Sequence, residues 1–285
     1  MYLTGTGSST AMRIAAYQAQ ALMAVDQSTA RIASSRRFTS FAEDSVAATV
    51  EISLRTQRGA ATLYLRATQD AVTTADAASA GLQTASDLLI ELRNDVLALN
   101  AADPASVSAV QEQVDTLTAE LTRISATTTA ADGTKLLDGS IASTPLSFKV
   151  AGTGSASDDV QLTAIAVDAA HLGTGPLKLD SIDFTAGSPT TQSDALAAID
   201  AAQAAVTASL ASTGGVSAAM GYHASAIGSQ ISGLDSGLDT ISGLDVAQET
   251  VTLTAAQLRA EAASAMLAQV NNLQLSMVRQ LLMAP

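Results

Sequence analysis

The chain has 285 residues, no cysteine, no tryptophan and only two histidines, His171 and His223. It therefore has no thiol for a disulfide, an iron–sulfur cluster or a nucleophile, and neither histidine belongs to an HExxH motif or a carboxylate cluster that would hold a metal. The formal charge of −13 argues against binding nucleic acid or anionic lipid, because phosphates are neutralised by clustered lysine and arginine. We expect no enzyme activity, no cofactor and no metal.

Aromatic side chains make up only 3% of the chain, and small residues such as alanine, serine and threonine are abundant. A compact core normally takes much of its burial energy from aromatic and large aliphatic side chains, so an alanine-rich core suits elongated, closely packed helices. The N-terminus has no basic region followed by an apolar run, and no uninterrupted apolar stretch reaches about 20 residues. We therefore expect neither a cleaved signal peptide nor a membrane partner.

Apolar residues recur at alternating spacings of three and four, the pattern of helices that pack on helices. The first such stripe contains Ala15, Gln18, Leu22, Val25, Thr29 and Ile32, and it breaks between residues 34 and 41. The second predicts one long helix that contains Val50, Leu54, Gln57, Ala61, Tyr64, Thr68, Ala71, Ala75, Ala78, Leu82, Ala85, Leu89, Leu92, Val96 and Leu99.

A third helix is predicted after Asp103-Pro104, which marks a turn and a helix start. Its stripe contains Val107, Val110, Val114, Leu117, Leu121 and Ile124. Because only a short loop separates this stripe from the previous one, the two helices should form an antiparallel hairpin.

The centre of the chain, at about 132–190, is rich in glycine, serine, threonine and aspartate, and it predicts short strands. The alternating stretches 146–150 and 160–164 should pair through a turn at 152–155. Residues 177–179 and 182–184 are two further strand candidates.

Helical periodicity then returns, with Ser193-Asp194 as the predicted N-cap and Gly214-Gly215 as a local weak point. The stripes contain Leu196, Ile199 and Val206, then Met220, Ala224, Ile227, Ile231, Leu234, Leu238 and Ile241, and finally Leu253, Ala256, Ala260, Ala263, Leu267, Val270, Gln274, Met277 and Leu281. The predicted fold is mainly α: a long antiparallel helical bundle or coiled coil with a small central β-hairpin region and paired N- and C-terminal helices.

Residues 31–47, RIASSRRFTSFAEDSVA, align without gaps with R-L-S-S-G-L-R-I-N-S-A-K-D-D-A-A-G, a pattern of bacterial flagellin. The family has glycine where this chain has Ser35 and leucine where it has Arg36, and Glu43 departs from the acidic pair. The identical positions are Arg31, Ser34, Arg37, Ser40 and Asp44.

Other stretches resemble the same family in the same order. Residues 134–139 (TKLLDG) are similar to its K-L-L-D-G turn, and residues 148–152 (FKVAG) to its F-Q-V-G strand. Near the C-terminus, residues 241–249 (ISGLDVAQE) fit I-x-D-x-D-x-A-x-E with Gly243 replacing the first Asp, and residues 266–271 (MLAQVN) resemble V-L-A-Q-A-N. The chain thus resembles bacterial flagellin over nearly its whole length, in a short form without large outer domains.

The resemblance implies that residues 1–42 and 243–285 form a terminal coiled-coil inner layer and residues 43–242 the next layer outward, a helical bundle with the β region. It implies a structural subunit that polymerises into the flagellar filament for motility, outside the cell and exported without a cleaved signal peptide. Its implied partners are copies of itself, the flagellar export apparatus, an export chaperone, the filament cap and the hook-junction proteins.

The terminal stripes are thin, because alanine, glutamine and threonine bury little area at about 25 cal/mol per Å². Ordering a residue costs about 1–2 kcal/mol, so we expect both ends to be largely disordered in the free monomer and to fold on assembly. A helical filament requires head-to-tail, non-closing contacts. Salt should favour assembly by screening the repulsion between subunits of charge −13.

The arginines that precede residue 38, together with the acidic pair at 43–44, have two alternative interpretations: an ion-pair cluster between subunits, or a solvated linker face. The residues predicted for the assembly interface are Leu22, Val25, Arg31, Ile32, Arg36, Arg37, Asp44, Leu267, Gln269, Asn271, Met277, Leu281 and Leu282.

Arg93 lies where the family has the arginine of R-E-L-A-V-Q, the segment that an animal innate-immune receptor reads, although Asn94 and Asp95 replace its Glu and Leu. It is therefore a candidate receptor-facing residue. The nearest alternative function is a hook–filament junction adaptor, whose acidic motif usually has a proline where Ser45 stands. A secreted coiled-coil adhesin or sensor module is a further alternative, and it would need an anchor or a signal peptide.

Overall fold

The computed structural model describes residues 3–151, 158–175, 177–185 and 190–283. It is 76% helical, which confirms the mainly α fold. The helices are α1 Leu3–Ser34, α2 Ser45–Leu97, α3 Pro104–Thr127, α4 Ser140–Ser143, α5 Gln192–Ser242 and α6 Val246–Met283.

Two short antiparallel ladders form the central β region. Strands β1 (Leu146–Lys149) and β2 (Asp159–Leu162) pair in register from Leu146 opposite Leu162 to Lys149 opposite Asp159. Strands β3 (Gly173–Thr174) and β4 (Leu177–Lys178) form the second ladder. The predicted strands near 146–150, 160–164 and 177–179 are confirmed in large part, and the predicted turn at 152–155 lies outside the described residues.

The strand predicted at 182–184 is wrong, and a glutamine side chain explains why. Gln111 of α3 donates from Nε2 to the carbonyl of Ile182 (3.1 Å) and accepts at Oε1 from the N–H of Phe184 (2.9 Å). One side-chain amide thus satisfies the backbone groups that a neighbouring strand would satisfy. Ile182 and Phe184 are buried. The alternation of apolar residues therefore predicted correctly which side chains are buried, but it did not predict that this segment pairs with no strand.

The chain divides into two compact units. Unit 1 comprises residues 1–58 and 233–285, and unit 2 comprises residues 59–232. Helices α2 and α5 contribute residues to both units, whereas α1 and α6 belong wholly to unit 1. The boundaries predicted at 42/43 and 242/243 lie at the breaks between α1 and α2 and between α5 and α6, whereas the two units divide at 58/59 and 232/233. The predicted layers stay a prediction.

Unit 2 has a continuous apolar core in which α2 packs with α3 and α5 under the β region. The predicted stripe of α2 is confirmed there, since its apolar members from Ala71 to Val96 are completely buried, whereas Val50 and Gln57 are exposed. The largest fully buried side chains are Leu82, Leu89, Leu92, Val96, Leu121, Leu136, Leu137, Ile141, Leu162, Leu179, Ile199 and Met220.

Local capping explains where two of the helices begin. Asp103 accepts the N–H of Ala105 (3.0 Å) in front of Pro104, as the sequence predicts. The predicted N-cap of α5 at Ser193-Asp194 is wrong, because the helix begins at Gln192 and Thr191 caps it. The Thr191 hydroxyl accepts the N–H of Asp194 (3.1 Å) and donates to the Asp194 carboxylate (2.7 Å).

Helix α5 runs without a break through the predicted weak point at Gly214-Gly215. Thr213 and Met220, which flank the glycines, are completely buried, so packing holds the helix together there. Of the described helices, α5 is the one whose length and hydropathy would suffice to cross a membrane. The core helix of a water-soluble protein passes the same test, and α5 supplies Ile199 and Val206 to the core of unit 2.

Alanine substitutions at two glycines of α2 test the packing of unit 2. A Cβ at Gly81 would lie 2.6 Å from Leu137 Cδ1 and 2.8 Å from Thr128 Oγ1, whereas a Cβ at Gly59 would meet nothing within 4 Å. We expect Gly81→Ala to lower the free energy of unfolding by about 1–3 kcal/mol through overpacking. Gly59→Ala should raise it by about 0.5–1 kcal/mol through helix propensity alone. Urea unfolding would measure both, and a stabilised Gly81→Ala protein would contradict the packing described.

Candidate assembly interface

The residues predicted for assembly fall in the terminal helix pair and in the linker between α1 and α2, all within unit 1. Helices α1 and α6 pack antiparallel, because Arg31 meets Glu249 at one level while Tyr17 and Met266 border one groove at another. The predicted pairing of the N- and C-terminal helices is therefore confirmed.

The contact between the two helices is made by small residues. The predicted stripe of α6 is confirmed where it is described, with Ala256 and Ala263 buried and Leu253, Leu267 and Val270 half-buried. The stripe of α1 is partly wrong: Ala15, Leu22 and Thr29 are exposed, and Ala21 and Ser28 are buried instead. Small side chains let two helices approach closely, and a leucine at that seam would hold the backbones apart.

The other predicted residues are distributed between the seam and the surface. Val25 and Ile32 are half-buried in α1, whereas Gln269 and Asn271 of α6 are exposed. Met277, Leu281 and Leu282 lie in α6, but their side chains are outside the part of the chain that the structure describes. Val25, Ile32 and Leu267 are thus partly covered within the subunit, and their role in assembly stays a prediction.

Large apolar side chains cover the outside of the terminal pair. The exposed large apolar residues of α1 and α6 are Met12, Tyr17, Leu22, Met23, Val246, Val251, Leu258, Met266, Leu273, Leu275, Val278 and Met283. The sequence reading missed most of them because they lie off the three-four stripe. Exposed apolar residues that form a contiguous patch are typical of interaction sites, so these residues are candidates for the assembly interface.

A left-handed residue ends α1. Ser35 has a φ of 52°, the N–H of Ser35 donates to Ile32 O and the N–H of Arg36 donates to Arg31 O, both at 3.2 Å. These two bonds form a Schellman motif, whose left-handed position favours glycine. Ser35 stands at the position where the flagellin pattern has glycine.

Arg36 and Glu51 form the most buried ion pair of the linker. Arg36 Nη2 lies 2.7 Å and 2.6 Å from the two carboxylate oxygens of Glu51, whose side chain is only 3% exposed. Arg55 approaches the same carboxylate at 2.6 Å. Phe38 is buried below, with the guanidinium carbons of Arg36 and Arg37 at 5.6 and 5.9 Å from its ring centre.

The remaining arginines connect the linker to its neighbours. Arg31 lies 3.3 Å from Glu43 and 3.7 Å from Glu249 of α6, and Arg37 lies 3.3 Å from Asp44. The N–H of Arg37 also donates to Ser242 O (2.9 Å) at the end of α5. These arginines thus pair with carboxylates of their own chain, and both interpretations offered by the sequence stay predictions.

The hydrogen bonds of the linker lower the pKa of Glu43. Desolvation acts to raise the pKa of Glu43, but the hydroxyl and N–H of Thr39 donate to its carboxylate and Arg31 lies beside it, so the net pKa is lowered. Ionised Glu43 therefore stabilises the linker above its ordinary pKa of 4.5, and that contribution is lost as the pH falls through the lower, folded value.

Charge is unequally divided between the units. Of the 14 basic and 27 acidic residues, unit 1 has 8 and 9 and unit 2 has 6 and 18. The net formal charge is therefore about −1 in unit 1 and about −12 in unit 2. Contacts between terminal helices of different copies would meet little net repulsion, so the effect of salt on assembly should come mainly from unit 2.

The remaining sequence candidates lie apart from this interface. Arg93 pairs with Asp200 of α5 through Nε at 2.8 Å, in unit 2. His171 contacts Asp168 through Nδ1 at 2.7 Å, and His223 is exposed on α5. Within the described ranges, no group of three His, Cys, Asp or Glu side chains is placed to hold a metal ion.

Removing Arg36 tests whether the buried pair stabilises the fold. Arg36→Ala leaves the Glu51 carboxylate buried with only Arg55, so the free energy of unfolding should fall by about 2 kcal/mol. Arg37→Ala is the matched control, because the Arg37–Asp44 pair is 51% and 42% exposed and should contribute less than about 1 kcal/mol. Urea unfolding of the assembled chain followed by circular dichroism measures both, and equal losses would contradict the role of burial.

A substitution at Ser35 should stabilise the folded chain, whereas Arg36→Ala should destabilise it. Ser35→Gly should raise the free energy of unfolding by about 1 kcal/mol, because glycine relieves the cost of the left-handed conformation. Ser34→Gly, one residue earlier and inside α1, should lower it by about 0.5 kcal/mol. Thermal unfolding of the assembled chain would compare the two, and a destabilised Ser35→Gly protein would refute the strain at this position.

The comparison with protein families agrees with this architecture. Residues 196–282 match the profile of the bacterial flagellin C-terminal helical region, which covers most of α5 and α6. No curated protein matches the sequence. Flagellin is a structural family and not an enzymatic one.

Solved structures with similar folds also come from flagellar proteins. A protein from Vibrio parahaemolyticus that is described as flagellar hook-associated is 18% identical, with a TM-score of 0.55 over 70% of this chain and 100% of its own. At that identity the likeness concerns the fold. Bacillus cereus flagellin (20% identity, TM-score 0.32, 62% of this chain and 88% of its own) and FliC from Burkholderia pseudomallei (22%, 0.30, 66% and 99%) are also similar. Residues 196–282 are therefore similar to the C-terminal helical region of bacterial flagellin, and the fold of the chain is similar to that of a flagellar hook-associated protein.

Proposed function

We propose that the chain is a filament subunit, which polymerises head-to-tail through its terminal helices into the flagellar filament for motility. The observation that carries this proposal is the apolar outer surface of the α1–α6 pair, in a unit of nearly zero net charge. Covering exposed apolar side chains is favourable in water, and further copies of the same helices can cover them on several sides.

The energetics of the pair support coupling between folding and assembly. The seam buries mainly alanine and serine, which contribute little at about 25 cal/mol per Å². Ordering each residue costs about 1–2 kcal/mol, so two helices joined by this seam alone are marginal. We propose that the ends are largely disordered in the free monomer and take the described helical form in the polymer.

A hook–filament junction adaptor is the second candidate. The likeness in fold to the hook-associated protein of Vibrio parahaemolyticus favours it, although that likeness gives no partner. An adaptor would use the same terminal helices but would join two different polymers in limited copy number. Unlimited self-polymerisation distinguishes the filament subunit from the adaptor. Both proposals place the protein outside the cell. Both also include contacts with the export apparatus, a chaperone, the cap and the junction proteins.

Assembly of the purified chain tests the proposal. Concentrated ammonium sulfate should convert the monomer into tubular fibres visible by negative-stain electron microscopy, with a rise in helicity measured by circular dichroism. A monomer that stays soluble and unpolymerised under these conditions would refute the filament subunit. Equal helicity in monomer and polymer would refute the coupling of folding to assembly.

A substitution on the outer surface should impair assembly without harming the fold of the subunit. Leu275→Ser removes an apolar side chain, 60% exposed, from α6, and losing about 1.5–3 kcal/mol of burial should raise the critical concentration at least tenfold. Leu63→Ser is the matched control, because Leu63 is 65% exposed but lies in unit 2. Sedimentation of the polymer measures both, and an unaffected Leu275→Ser protein would count against the terminal surface.

A further inference from the structure

An open groove with an alanine floor runs between α1 and α6. It encloses about 420 Å³. We call it the alanine groove, and its lining residues are Tyr17, Gln20, Ala21, Ala24, Ala256, Arg259, Ala262, Ala263 and Met266. Methyl groups on the floor leave room for a larger apolar side chain, and the exposed side chains of Tyr17 and Met266 would extend the contact.

A basic residue, Arg259, lies among the mainly apolar residues that line the alanine groove. Arg259 is exposed, and among the residues that the structure describes it forms no ion pair. A ligand that fits the groove should therefore combine a large apolar group with a carboxylate about one helical turn away, because Arg259 is three residues from Ala256 and four from Ala263.

The α1 helix carries a surface with these two features. Leu22 and Met23 are 50% and 64% exposed, and the exposed Asp26 follows them by four and three residues. Within the described ranges, Asp26 also forms no ion pair. We call these three residues the α1 ridge. None of them lines the alanine groove, so the ridge and the groove are different surfaces of the same unit.

We propose that the alanine groove of one copy receives the α1 ridge of a second copy, with Asp26 paired to the neighbour's Arg259. This inference rests on the proposed function, since it names the contact through which the terminal helices assemble. Because ridge and groove differ, the contact is heterologous: each copy offers a free groove and a free ridge, and the series continues without closing on a two-fold axis.

The competing ridge lies on α6. Leu258 is 61% exposed and Glu261, which is exposed and follows it by three residues, offers the other carboxylate. The α1 ridge is the better match, because two large apolar side chains precede Asp26 by one turn, whereas Leu258 stands there alone before Glu261. The charge exchange described next distinguishes the α6 ridge from the α1 ridge as the occupant of the groove.

A charge exchange distinguishes the two ridges. Arg259→Asp and Asp26→Arg should each raise the critical concentration for polymerisation about tenfold, since each leaves like charges facing across the contact. The double variant R259D/D26R restores an opposite pair and should return the critical concentration to within about threefold of the unsubstituted chain. The variant R259D/E261R is the matched control and should remain impaired. Sedimentation measures the critical concentration, and circular dichroism of the polymers checks that α1 and α6 still form helices in every variant.

The outcomes separate this inference from the proposed function. If the unsubstituted chain polymerises and R259D polymerises equally well, the docking is refuted while the filament subunit stands. If E261R rather than D26R restores R259D, the α6 ridge is the occupant and our assignment is overturned. If the unsubstituted chain does not polymerise at all, the proposed function fails and the docking fails with it.

Discussion

The small-residue seam between α1 and α6 is the constraint on which the rest depends. Helices that touch through Ala21, Ser28, Ala256 and Ala263 approach closely but bury little apolar area. The larger side chains are left on the outside of the pair, where Met23 and Leu275 are largely exposed. A pair that keeps its large residues outside is weakly stable alone and has much to gain from neighbours, which connects the composition of the chain to polymerisation.

Unit 2 shows the opposite arrangement. Its helices bury Leu82, Leu89 and Leu121 completely, and polar side chains such as Gln111 satisfy backbone groups that the short strands leave unpaired. This unit has the core of an independently stable domain, and it also carries about twelve of the net negative charges. Stability and charge are thus concentrated in one part of the chain, and apolar exposed surface in the other.

The linker between α1 and α2 is more ordered than its polar composition suggests. Glu51 is buried with two arginines, Phe38 lies beneath the guanidinium groups, and Ser35 holds a left-handed conformation at the end of α1. These contacts lie within one subunit, so they fix the local path of the chain between α1 and α2 in the folded subunit. Arg31, Arg36 and Arg37 each pair with a carboxylate of their own subunit.

The sequence by itself determined the helical architecture, the place of the β region and the pairing of the two ends, because stripes spaced by threes and fours at both ends are typical of helices that pack on helices. It also determined the start of α3 after Asp103-Pro104 and the stripe of α6. Only the tertiary structure decided which neighbouring position of α1 enters the seam, since Ala21 and Leu22 both fit a periodic stripe and the backbone separation selects the smaller. It also decided the partners of Arg36 and Arg31. The sequence shows that an arginine is positively charged, but only the folded chain shows which carboxylate lies close enough to pair with it.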